Sequence, residues 1–181
     1  MNFTPFEVSP KLREMILYIT SRCGSREDFG ATLLNKVLFQ SDSEAFVCLG
    51  KTVTETEYER KDFGPVPKQM NLTRQKMTED GDVANKTAAV ACYVAKQLVP
   101  LRRPNLDLFS PSEIALVDQV IANFDKKTAT QASEETHGIA WKILDNYETY
   151  PIAAAFISNA PPSAADRDLA ERLAEAHNWK I

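Results

Sequence analysis

Histidine, glycine and cysteine are all scarce in this chain of 181 residues, and each shortage removes a class of chemistry. Two histidines, His137 and His177, exclude a multi-histidine metal centre, so no metal and no cofactor is expected. The six glycines are scattered singly, which leaves no glycine-rich loop to cradle a phosphate. Cys23, Cys48 and Cys92 form neither a C-x-x-C pair nor an even-numbered disulfide framework, in keeping with a reducing compartment. Each cysteine stands among apolar neighbours and reads as a small core residue, not a nucleophile. No G-x-S-x-G elbow offers a serine instead. The longest apolar runs, 88–95 and 152–157, fall far short of the roughly 20 residues of a membrane span. Met1 to Pro10 lacks the basic and apolar stretches of a secretory signal, so a soluble, cytoplasmic protein with no membrane partner is expected. Basic charge is not in excess either: 21 Lys and Arg face 25 Asp and Glu, a net charge of −4. The pairs Arg60-Lys61, Arg102-Arg103 and Lys126-Lys127 are dispersed, so no direct nucleic-acid binding is expected.

What remains is the composition of an ordinary globular protein, 44% hydrophobic and 25% charged, long enough for one domain over residues 1–181. Helical spacing dominates. Ser9-Pro10 caps a helix carrying Leu12, Met15, Ile16, Ile19 and Cys23, with Gly24 as its stop. Ala31 to Leu49 forms a second, with Leu34, Val37, Leu38, Ala45 and Cys48 as its buried stripe and Gly50 ending it. Lys51 to Phe63 alternates with period two and reads as extended or as a flanking loop, with a helix over Thr56 to Arg60 as the competitor. Lys68 to Thr78 is a polar helix closed by Asp80-Gly81. Val83 to Ala89 and Tyr93 to Val99 are expected to pair as a hairpin, against a helix favoured by the alanine richness between Thr87 and Ala95. Ser110-Pro111-Ser112-Glu113 is a capping box with Phe109 and Ile114 placed as its hydrophobic staple. Ile114, Val117, Val120, Ile121 and Phe124 then follow at helical spacing. Thr128 and Gln131 form a second box, opening a short helix that ends near His137-Gly138. Pro161-Pro162 breaks the chain before a last helix, about 163–178, with Leu169, Leu173 and Ala176 on one side. The expected fold is α+β and mainly α: a compact helical domain with a small antiparallel hairpin or short sheet.

Gly64-Pro65-Val66-Pro67 is the most distinctive segment. Its glycine admits unusual backbone angles while its prolines fix φ and remove donors, so it reads as a stiff corner that continues neither strand nor helix. Candidate chemistry is thin. His137 sits near Glu134 and Glu135, but only Glu134 shares its helical face, and no second cluster accompanies it. The structural reading makes it a helix end that satisfies terminal carbonyls and leads into a buried Trp141. Lys36 reads as a surface charge, with a partner-facing role left open beside the apolar stripe.

Four segments in order carry a family resemblance. They are Leu34-Asn35-Lys36-Val37-Leu38-Phe39, Gly64-Pro65-Val66-Pro67, Leu108-Phe109-Ser110-Pro111-Ser112-Glu113, and Thr136-His137-Gly138-Ile139-Ala140-Trp141. Together they resemble the signature of the Panacea domain, the SocA-type antitoxin domain sometimes associated with phage, over about residues 11–142. Two departures from the family pattern are Phe39-Gln40-Ser41-Asp42, in place of a Tyr-x-Asp or doubly aromatic run, and the alanine-rich stretch before Leu101. The resemblance implies an antitoxin, not an enzyme, that neutralises a cognate toxin by direct protein–protein binding. The alternatives are an adaptor delivering that toxin to an ATP-dependent protease and, in another class, a hydrolase-like enzyme using His137. A DNA-binding regulator is a further class, but no appended helix-turn-helix segment is visible. Phe39, Phe46, Tyr58, Phe63 and Met70 crowd the region around the corner and are the candidate partner surface, a core position being the competing reading for each.

Overall fold

Local signals and observed elements agree at most helix starts. In the computed structural model, which describes residues 8–90, 93–157 and 161–178, helix α1 runs Pro10–Cys23. Ser9 Oγ accepts from Leu12 N, and the same hydroxyl donates to Thr54 O at 2.9 Å, so the cap also ties the helix to a distant loop. Helix α2, Ala31–Leu49, ends at Gly50 in the left-handed conformation that glycine admits freely. Helix α3 spans Met70–Glu79, and α4, Pro111–Phe124, opens on the full reciprocal capping box of Ser110 and Glu113. Helix α5, Ala129–Thr136, opens on the second box, from Thr128 and Gln131. Short α6, Ile139–Ile143, precedes α7, Ala164–His177. Single 3-10 turns occupy Leu106–Leu108 and Ile152–Phe156.

The expected hairpin is present: β3, Val83–Val90, pairs antiparallel with β4, Tyr93–Pro100. Residues 51–63 are extended toward their end, with β1 at Tyr58–Lys61. Gly64-Pro65-Val66-Pro67 departs from the expected corner. It is a strand, β2, paired with β1 through Tyr58↔Pro67, Glu59↔Val66, Arg60↔Pro65 and Lys61↔Gly64. A two-residue strand β5, Thr149–Tyr150, completes the sheet in the order β2-β1-β5. Parity explains why two prolines are tolerated. Arg60 N donates to Glu148 O on the β5 side, and Lys68 N to Glu57 O on the β2 side. Even residues of β1 therefore direct their backbone groups toward β5 and odd ones toward β2. Pro65 and Pro67 lie opposite even residues, where an edge strand's N–H would point away from its neighbour.

Helix α2 is the centre of the packing. It touches α1, α4, α5, β2, β4 and the Ile152–Phe156 turn. The larger core gathers Leu12, Met15, Ile16 and Ile19 of α1, Leu33, Leu34, Val37 and Leu38 of α2, and Val117, Val120 and Phe124 of α4. Each such side chain contributes roughly 1.5–3 kcal/mol on burial. Arg102, just past β4, fastens the hairpin base to α1. It donates to Glu14 Oε1 at 2.6 Å and Oε2 at 2.8 Å, and to Asp82 Oδ1 at 2.6 Å. A second cluster joins Phe39, Tyr58, Ala140 and Tyr150, with Phe39 edge-on to both tyrosines at 5.3 Å.

Some expectations give way here. Cys48 is exposed on α2 and is no core residue, whereas Cys23 is buried. Burial pushes the Cys23 thiol up to about 11, which keeps it protonated and unreactive. Cys92 lies outside the described residues. Trp141 is half-buried, not fully enclosed. The Leu169 and Leu173 side of α7 faces solvent, and Ala174 is that helix's buried residue.

Candidate functional site

Three separated segments meet around one ammonium group. Lys36, expected at the surface, is only 1% exposed, because α2 carries it beneath the β1–β2 hairpin. Its Nζ donates to the Phe63 carbonyl and, at 2.6 Å, to Thr136 Oγ1. Thr136 in turn donates from Oγ1 to Ser133 O at 3.0 Å, so the proton chain closes on α5's own backbone. The correction has a physical cause. The lysine's partners are a carbonyl 27 residues away and a hydroxyl 100 residues away, not a nearby carboxylate. Desolvation with no anion to offset it lowers the Lys36 pKa to about 7.

Gly64 makes room for this arrangement. Its φ is +109°, which side-chain-bearing residues rarely adopt. A Cβ there would overlap Lys36 Nζ and lie 2.9 Å from Thr136 Oγ1. Glycine is therefore demanded twice, once by the backbone and once by the lysine. Asp62 and Phe63 form the two-residue turn between β1 and β2, and the Phe63 carbonyl is held from below. Its side chain is left 70% exposed.

His137 and Trp141 brace the other side. The imidazole stacks on the indole with ring centroids 3.6 Å apart and planes 9° from parallel. Trp141 Nε1 donates to Lys61 O at 2.8 Å, and the Arg60 guanidinium lies 4.5 Å from the indole centroid. Burial, then the Lys36 charge, holds His137 below the ordinary histidine range. Its Nε2 is buried with no hydrogen-bond partner among the described residues. His137 ends α5 through its own N–H to Glu134 O, so the helix-end reading is right while its ring is engaged with Trp141.

The remaining sequence candidates divide. Asn35 neighbours Lys36 on α2, with Oδ1 buried and unpartnered among the described residues. Val66 packs against the larger core. Pro65 and Pro67 line the β2 edge. Ser110 and Glu113 stand at the head of α4, where they cap a helix: Ser110 N donates to Glu113 Oε2 at 2.7 Å, and Lys51 Nζ lies 3.2 Å from Glu113 Oε1. Of the supposed partner surface, Phe39, Tyr58 and Met70 are core residues and present nothing outward. Phe46 is partly exposed at 38%, and Phe63 is the more exposed of the two. Tyr58 is buried against Phe39, and its hydroxyl is satisfied there by donating to Asp42 Oδ2 at 2.8 Å. Asp42 also accepts from Val53 N at 2.7 Å, Thr54 N at 2.9 Å and Thr54 Oγ1. Burial pushes the Asp42 carboxyl up while these donors oppose the shift. Asp42 carries no signal of its own in the sequence beyond its place three residues after Phe39.

Fold and site together define an α+β domain whose small sheet is locked onto its central helix by a buried lysine. The family model described as "Antitoxin SocA-like, Panacea domain" matches residues 34–142, and the chain belongs to that family. The expected resemblance is thereby established, and with it an antitoxin role in general terms. Comparison with curated proteins and with solved structures gives no match. Among the described residues, no helix is long and apolar enough to cross a membrane.

Proposed function

We propose that this chain acts as a single-domain antitoxin in the cytoplasm, neutralising a cognate toxin by direct protein–protein binding. The observation that carries the reading is how the family-motif residues are used. Lys36, Gly64, Thr136, His137 and Trp141 hold one another and the hairpin; Lys36 Nζ fills the space in front of Gly64. A buried lysine, and a half-buried histidine whose Nε2 is covered and whose ring is stacked on Trp141, serve a scaffold better than a reaction, since a general base must reach its substrate. The covered Nε2 and the stacked ring argue against the hydrolase alternative built on His137. The protease-adaptor reading shares the binding step and differs in the fate of the bound toxin, which is degraded instead of held.

Co-expression with the product of the adjacent open reading frame tests the proposal. That product alone should arrest growth, and this chain should restore it. A neighbour that is harmless alone, or arrest that this chain leaves untouched, overturns the reading for the pair.

A further inference from the structure

Among the described residues, the three most exposed large apolar side chains are Ile143 at 73%, Phe63 at 70% and Tyr147 at 69%. They are not scattered. Phe63 tips the β1–β2 turn, and Tyr147 lies in the loop that runs beside it from α6 to β5. Asn146 Nδ2 donates to Asp62 Oδ1 at 2.8 Å, Tyr147 N donates to Arg60 O at 2.9 Å, and Lys61 Nζ sits 3.4 Å from the Tyr147 ring centroid. The two aromatic residues thus flank one hydrogen bond between adjacent loops. Ile143 ends α6, at the start of the same loop.

Backbone strain marks the place as well. Tyr147 has φ +71°, a conformation unfavourable for an aromatic residue and natural for glycine or asparagine. The Lys61 ammonium covers part of its ring, yet the residue remains 69% exposed, so intramolecular packing uses little of the aromatic surface. Opposite, the Phe63 carbonyl accepts from the buried Lys36, and the Tyr147 N–H is tied to Arg60 O of the same hairpin, so both backbones are held. Rigid aromatic anchors lose little freedom on binding, which is what an interface centre requires.

We infer that the Phe63–Tyr147 tip is the surface through which this chain grips its partner, and that the partner presents an uncharged apolar pocket. This rests on the antitoxin reading and adds where and by what chemistry the contact is made. On the β1 side Arg60 faces Asp62 at 3.6 Å, and Lys61 meets Glu59 at 2.7 Å. The α6–β5 side adds Lys142, Asp145 and Glu148, all exposed, so acids slightly outnumber bases around the rings. A surround of that balance with two protruding rings suits an apolar protein cleft and repels a polyanion.

The test uses the full chain with Phe63→Ser and Tyr147→Asn, singly and together, against the adjacent gene's product in growth rescue and in a purified binding titration. Asparagine suits the left-handed backbone, so Tyr147→Asn keeps or raises the melting temperature while removing the ring. The double variant is expected to bind at least roughly 10-fold more weakly. Phe63→Leu should recover part of the loss, and Val94→Ser, at an exposed site on β4, should bind as the parent does. If the parent rescues growth and the double variant binds equally well, the surface assignment is overturned while the antitoxin reading stands. If Val94→Ser alone weakens binding, the surface lies on the β3–β4 hairpin instead and the assignment is overturned. If the parent itself neither binds nor rescues, both readings fall.

Discussion

At the scale of single residues, Lys36 shows what burying an amine without a counter-charge does. Its ammonium has two good acceptors and no anion, and the price is a pKa lowered to about 7 against 10.5 in the open chain. Between those values the unfolded chain holds the extra proton, so stability should rise with pH across that window. The rise should approach roughly 1.4 kcal/mol per pH unit at its steepest. Lys36→Met should abolish this slope, and urea melts of the two proteins from neutral to mildly alkaline pH measure it; parallel slopes would contradict the account. Gly64→Ala should cost about 2–4 kcal/mol in the same melts, because it adds backbone strain and displaces the lysine. A loss below roughly 0.5 kcal/mol, that of an ordinary surface change, would mean that the lysine moves aside freely.

Among elements, the β2 edge is the informative case. Pro65 and Pro67 occupy positions whose missing donors would point outward, whereas Val66 faces β1 across from Glu59. Val66→Pro should therefore destabilise by about 3 kcal/mol or more, and Pro65→Val by under about 1 kcal/mol. Equal losses on chemical denaturation would refute the parity argument. The same segment shows what the sequence discloses and what it withholds. Caps are local, so Ser9-Pro10, Ser110 to Glu113 and Thr128 with Gln131 are legible from spacing alone. The β3–β4 hairpin is legible from the strand-like run Tyr93 to Val99 and the proline that follows it. The prolines of Gly64–Pro67 mislead because tolerance depends on which strand face is an edge, and that is settled by β5, two residues long and over eighty positions away. Lys36 misleads for a related reason: nothing near it in the chain announces a carbonyl from Phe63 or a hydroxyl from Thr136. The family match spans all four motif segments, and three of them converge on the site through Lys36, Gly64 and Thr136; the Ser110–Glu113 segment caps a helix elsewhere.

Across the whole molecule, stability and partner contact draw on different parts. Glu14 and Asp82 are pushed up by burial but drawn lower still by Arg102, with Asn105 N adding to Glu14 and Arg13 to Asp82. With folded pKa values below the ordinary carboxylate range, their contribution is present at neutral pH and lost as the solution is acidified through those values. His137, held below its ordinary value, loses stability in the same direction as acid charges it in the unfolded chain first. Helix α7 enters neither core cluster, so ending the chain before Ser163 should shift the melting temperature by no more than a few degrees, roughly the effect of 1 kcal/mol. A collapse of the melting transition would show that α7 supports the fold. The central claim is that neutralisation is stoichiometric binding by a rigid surface, without turnover or delivery. Its most direct measurement is the ratio of this chain to the adjacent gene's product needed to restore growth in cells stripped of ATP-dependent proteases, with the complex recovered intact. The account predicts undiminished rescue at a fixed stoichiometric ratio and a stable complex; rescue at trace amounts, or only when a protease is present, would contradict it.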